Sequence, residues 1–135
     1  MSGHQSRPDD GVVELAHRMF DLARAGEGRL LADYVGAGVP VNLTDTSGNT
    51  LLMLAAYHGH AATVRALVDL GADVDRLNDR GQSPLAGAVF KDDGDVVTAL
   101  LLAGADPDAG TPSARATAEM FGRADLVQPP GHRPG

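Results

Sequence analysis

Residues 45–74 read "DTSGNTLLMLAAYHGHAATVRALVDLGADV". Two apolar runs, one around Leu51–Ala56 and one from Val64 to Val68, are divided by Gly59 and closed by Gly71. In the second run Val64, Leu67 and Val68 fall at i, i+3 and i+4, the spacing of one helical face. Thr50 stands where a helix N-cap is needed, and Gly71 stands where a terminator able to take positive φ is needed. The stretch therefore reads as two short helices with a turn before, between and after them.

Working outward, the same pattern returns 33 residues away on both sides. "GAGVPVN" (36–42), "DLGADVD" (69–75) and "LAGADPD" (102–108) align without a gap through Gly38, Gly71 and Gly104, since 71−38 = 33 and 104−71 = 33. That offset also pairs Gly26 with Gly59, Gly48 with Gly81, Thr50 with Ser83, Leu52 with Leu85 and Leu67 with Leu100. A fixed period of this length marks a repeat architecture, in which each unit buries its apolar face only against its neighbours. "SPLAGAVF" from Ser83 offers a serine cap followed by Pro84 at the first helical position, where no amide hydrogen is needed. Val97, Leu100 and Leu101 repeat the helical spacing in the next helix, and the Asp, Asn and Gly residues of "VNLTDTSG" and "VDRLNDRG" predict hairpin-like turns.

On these residues the chain resembles the ankyrin repeat over about 12–127. The family pattern is matched in the second unit by Asp45, Gly48, Thr50, Leu52, Ala55, Ala56, Gly59, His60, Val64, Leu67, Gly71, Ala72, Asp73 and Val74. The third unit matches with Gly81, Ser83, Pro84, Leu85, Ala88, Val97, Leu100, Leu101, Gly104, Ala105 and Asp106. The resemblance implies an all-α solenoid of about four stacked helix-turn-helix units with short β-hairpin fingers, the units spanning about 12–44, 45–77, 78–107 and 108–128. The repeat domain is expected over 11–128, between disordered tails at 1–10 and 129–135.

The departures predict local differences. Leu51 and Met53 replace the family's proline and histidine, Ala86 replaces that histidine again, and Asp92-Asp93 replaces Gly-His, so less regular helix starts are expected there. The first unit lacks a finger, and Leu15, Met19 and Leu22 are expected to line its buried face, with Glu14, Arg18 and Asp21 opposite, as a terminal cap requires. The fourth unit has a turn about three residues short, which predicts a stunted finger, and its second helix must stop at Pro129.

Composition narrows the function. The formal charge is −7 with 18 acidic residues, and the 11 basic ones are scattered, ten arginines and one lysine. Nucleic-acid binding needs a positive footprint and is not expected. With no cysteine, thiolate zinc sites, disulfides and cysteine nucleophiles are excluded. The N-terminus has no apolar signal-peptide core and no run approaches the ~20 apolar residues of a membrane span, so a soluble cytoplasmic protein is expected. The arginine, alanine and glycine bias suggests a GC-rich bacterial source. No GxSxG elbow and no phosphate loop ending in Gly-Lys-Ser or Gly-Lys-Thr occurs, leaving no catalytic constellation.

His58 and His60 flank Gly59 and could ligate a metal, but an H-x-H pair needs further ligands and a second shell. The family pattern makes His60 framework. "KDDGD" (91–95) lacks the length and closing glutamate of a calcium loop, and its acids suit a helix N-terminus instead. No metal or cofactor is expected; the rival reading is an accessory or stress-response factor using His58, His60 and Asp92-Asp93.

Residues 33 apart should lie side by side in the stack. Two such rows hold Arg24, Tyr57, Phe90 and Met120, then Ala25, His58, Lys91 and Phe121, and they carry three of the five aromatics. Aromatics, methionine and arginine are enriched at interface cores. The resemblance implies partner binding through the exposed ends of the first helices and through the finger tips Thr46, Ser47, Asn49, Asp79, Arg80 and Gln82. The expected function is a monomeric, non-enzymatic protein-binding module.

Overall fold

The computed structural model describes residues 10–128. Both tails expected to be disordered lie outside them, except that Asp10 already opens the first helix. Seven α-helices follow: α1 (Asp10–Ala25), α2 (Gly28–Gly36), α3 (Leu51–Tyr57), α4 (Ala61–Asp69), α5 (Pro84–Phe90), α6 (Gly94–Leu102) and α7 (Ala114–Met120). A 3₁₀ turn, Ala124–Val127, is the last element among the described residues. Helices pair as α1–α2, α3–α4 and α5–α6, with α7 against the 3₁₀ turn. The pairs then stack in two rows: α1, α3, α5 and α7 pack in series, and α2, α4, α6 and the 3₁₀ turn pack in series beside them. This is an all-α solenoid whose core runs continuously through the stack.

The core follows the 33-residue register. Met19, Leu52 and Leu85 are buried, as are Leu31, Val64 and Val97, each set one residue per unit. In α1 the buried stripe is Met19, Phe20 and Ala23, with Leu15 and Leu22 only partly covered. Leu15, Met19 and Leu22 thus all pack against the core as expected, with Glu14, Arg18 and Asp21 exposed opposite them, and Phe20 and Ala23 widen the buried stripe.

Helix starts are regular where irregularity was expected. The Thr50 hydroxyl accepts the Met53 amide at 3.1 Å, and Ser83 accepts that of Ala86 at 3.0 Å. Both helices then run seven residues. A hydroxyl cap fixes the start by itself, so the missing proline at Leu51 costs no order. Thr50 is 1% exposed, so Thr50→Ala leaves an amide buried without its partner. We expect a loss of about 0.5–2 kcal/mol in a denaturant titration; no measurable loss would remove the cap from the account.

The fingers are turns, not β ladders: among the described residues the β pairing is a single bridge, Thr44 with Thr50. Side chains satisfy the turn amides instead. Asp45 Oδ1 accepts from Ser47 and Asn49, and Asn78 Oδ1 accepts from Arg80 and Gln82. Adjacent fingers are tied by Asp79 N–H to the Ser47 carbonyl at 3.0 Å and by Asn78 Nδ2 to Asn49 Oδ1 at 3.0 Å. The shortened fourth turn lies against the third finger, with Thr111 N–H donating to the Gly81 carbonyl at 3.0 Å.

Along the opposite edge Asn42 accepts the Asp73 amide and Asp75 accepts the Asp106 amide, both at 2.8 Å. Asp108 is the next member of that series, 33 residues after Asp75. Its carboxylate instead accepts Arg115 Nε at 2.7 Å, and this bond holds its carboxyl below the ordinary aspartate value. Whatever stability this depressed acid contributes is present above the ordinary value and lost as pH falls through the lowered one. The last expected α-helix is only a 3₁₀ turn. Gln128, just before Pro129, is extended (φ −78°, ψ 135°), as a residue preceding proline prefers, so the helical turn ends there.

Candidate partner-binding groove

Tyr57 and Phe90 end α3 and α5, one repeat apart, and Met120 ends α7. Six buried residues precede Tyr57 in α3, yet Tyr57 itself is 45% exposed, Phe90 60%, Met120 71% and Phe121 52%. The rings are not scattered. Phe90 and Phe121 stand with centroids 5.9 Å apart, and the Lys91 ammonium lies 4.6 Å from the centre of the Tyr57 ring. That cation–π contact reaches back from the third unit to the second and fixes the ring's position.

Two depressions meet at Tyr57. One, of about 300 Å³, runs between the second and third fingers and is lined by Ser47, Asn49, Met53, Leu54, Arg80 and Gln82, among others. The second, of about 360 Å³, is bounded by Ala86, Phe90, Pro112, Thr117, Met120 and Phe121. Tyr57, Gln82 and Gly87 line both, so the two form one trough. Gly87 is its floor: a Cβ there would reach only ordinary contact, 3.6 Å, with Tyr57 Cδ1.

The sequence-predicted residues divide into groups. Tyr57, Phe90, Met120, Phe121, Ser47, Asn49, Arg80 and Gln82 line the trough, with His58 and Lys91 beside the Tyr57 ring. Arg24 and Thr46 sit elsewhere, in a shallow depression with Val12, Val13 and Phe20, and Arg24 is paired with Asp21 of its own helix at 3.0 Å. Asp79 lines neither part of the trough, its amide being bonded to the neighbouring finger. Asn49 also serves the scaffold, giving to Asp45 and accepting from Asn78. Met53, Leu54, Gly87, Pro112 and Thr117 were not foreseen. Helical spacing contained the signal, since 53 and 54 lie one turn before Tyr57, and Gly87 and Thr117 fall on the same row as Leu54.

His58 and His60 part company. His58 Nδ1 donates to the Leu54 carbonyl of its own helix at 2.8 Å, while His60 Nε2 donates to the Arg24 carbonyl of the preceding unit at 2.7 Å. Asp93 caps α6 by accepting the Val96 amide, and Asp92 pairs with Arg123 at 2.8 Å. Asp92 holds a left-handed backbone, φ 55°, at the place where Gly59 has φ 81°. These four groups point to separate partners, and no cluster of three or more metal-ligating side chains occurs among the described residues. Nor is any described helix long and apolar enough to cross a membrane.

Comparison with known proteins agrees with this geometry. A family model described as ankyrin repeats in three copies matches residues 20–111. An ankyrin repeat protein of Pseudomonas aeruginosa is 49% identical over 57 residues, 42% of this chain and 33% of that protein. Human ankyrin repeat domain-containing protein 29 is 48% identical over 61 residues, 44% of this chain and 20% of that one. Serine/threonine-protein kinase 12 of Arabidopsis thaliana is 32% identical over 97 residues, 72% of this chain but 21% of the kinase. The chain thus spans a third or less of the length of each of these relatives. With a family match across more than half its residues, a 33-residue register in its core and helical pairs stacked in two rows, this chain belongs to the ankyrin-repeat family.

Proposed function

We propose that the chain is a non-enzymatic binding module that engages a protein partner in the trough around Tyr57, Phe90, Met120 and Phe121, with the finger tips choosing among partners. Ankyrin repeats are protein–protein interaction modules and generally non-catalytic scaffolds. The observation that carries the reading for these residues is the cluster of four large apolar side chains, each about half exposed or more, on an otherwise well-buried row of helices. An exposed apolar cluster of this kind, rimmed by polar groups, marks an interaction site. A rigid stack loses little ordering entropy on binding. On this reading the repeat domain is 11–128, divided at about 44, 77 and 107, and it acts as a cytoplasmic monomer.

The test is the double variant Tyr57→Ala, Phe90→Ala in affinity capture from the source organism. Each ring should be worth about 2 kcal/mol or more of binding, so affinity for the captured partner should fall about thirtyfold for the loss of one ring and up to about a thousandfold for the loss of both. Helical content and melting should hardly change, because neither ring is buried in the core. A large loss of stability with binding retained would show the rings to be scaffold.

A further inference from the structure

The charge of the trough is opposite to that of the chain. The protein carries 18 acidic residues and a net charge of −7. Yet among the described residues no aspartate or glutamate lines either part of the trough, while Arg80 lines one wall. Its guanidinium has no carboxylate partner among the described residues, unlike Arg24, Arg115 and Arg123, which all do. Lys91, the chain's lone lysine, stands over Tyr57 with no acidic partner either. The acids next to Lys91 in sequence are engaged elsewhere, Asp92 with Arg123 and Asp93 with the start of α6, and Asp79, next to Arg80, bonds the neighbouring finger through its amide and sets its carboxylate beside Gly48. The other polar groups on the walls, Asn49, Asn78, Gln82 and Ser47, are neutral.

We propose that the trough takes an acidic peptide segment: an apolar side chain seated over Gly87 between Tyr57 and Phe90, with carboxylates beside it answering Arg80 and Lys91. This rests on the reading of the trough as the binding face and names the chemistry of its partner. Arg80 comes from the third finger and lines the trough, while Lys91 comes from the end of α5 and stands over the Tyr57 ring, so a segment passing the ring has a cation to meet from each of two elements. Lys91 is held in place by the ring it covers, which leaves its charge oriented before a partner arrives. Basic flanks would be rejected, because a like charge set against an unpaired cation is disfavoured. A partner chosen on net charge alone would be basic, and the local arrangement reverses that choice.

The experiment is selection from a random-sequence displayed peptide library on the whole chain. The wild type is compared with Arg80→Glu/Lys91→Glu, Arg80→Gln/Lys91→Gln and Tyr57→Ala/Phe90→Ala, each checked by circular dichroism. Wild type should enrich peptides with aspartate or glutamate flanking an aromatic or aliphatic residue. Their affinity should fall about tenfold on the charge-reversed variant, which should itself select basic flanks. The glutamine pair should lose the acid preference without gaining a basic one. Neutral or basic peptides that still depend on Tyr57 and Phe90 would overturn the acidic assignment and leave the trough as the binding face. Acid enrichment that persists in the charge-reversed variant would also overturn it. Failure of the wild type to select any peptide would sink both.

Discussion

Leu67→Ala should destabilise the protein by about 2–5 kcal/mol, the range for an emptied, fully buried leucine site. Leu67 is 0% exposed and sits in α4, which packs against α2, α3 and α6 at once. In a stacked array each unit is held only by its neighbours, so a cavity at this point weakens the seams on both sides of the second unit. The surrounding helices are too closely tied by the finger and edge bonds to collapse into the space. Leu102→Ala is the matched control: the same atoms are removed from a side chain 69% exposed, at the end of α6, and the change should stay within about 0.5 kcal/mol. Chemical denaturation of both variants measures the difference. Equal losses would mean that the assigned register of the core is wrong.

The repeat itself was legible because glycine positions and apolar spacing recur at one interval. Such a recurrence specifies stacking without any knowledge of side-chain packing. What a helical wheel left out in α1, Phe20 and Ala23, the offset of 33 supplies. Phe20 shares a row with Met53 and Ala86, and Ala23 shares one with Ala56 and Val89, all of them buried. A wheel drawn on one helix cannot tell which of its neighbours lies on which side, whereas a repeat register can. The candidate site was read as rows of side chains, but a row is not a surface. Arg24 is on the row and turns to Asp21, and Asn49 is at a finger tip and spends its amide within the fingers. Asp21 lies within helical spacing of Arg24, but the Asn49 choice also depends on Asn78, 29 residues away, which spacing alone does not pick out. The floor at Gly87 was missed although its row was legible from Leu54, because rows were weighed by their large side chains and glycine has none.

Gly26→Ala should cost about 2–5 kcal/mol, composed of ~1–2 for an alanine in the left-handed region and ~1–3 for disturbed hydrogen bonding. Gly26 has φ 77°, and a Cβ there would stand 2.5 Å from His60 Nδ1 and 2.7 Å from its Cγ. The ring cannot simply swing away, because its Nε2 donates to the Arg24 carbonyl at 2.7 Å. Beside it Thr63 Oγ1 donates to the carbonyl of Gly26 itself at 3.0 Å. These two bonds join the second helical pair to the first, so the damage falls on one seam. Terminal units of a linear stack can detach without the rest unfolding. Hydrogen exchange should therefore show the amides of α1 and α2 losing protection while those of α5 and α6 keep theirs. The double variant separates the two components. With His60→Ala already in place the obstructing ring is gone, and Gly26→Ala should then cost only the backbone part, about 1–2 kcal/mol. Full additivity of the two changes would show that the ring is not what fills the space above Gly26, and would assign the glycine to backbone conformation alone.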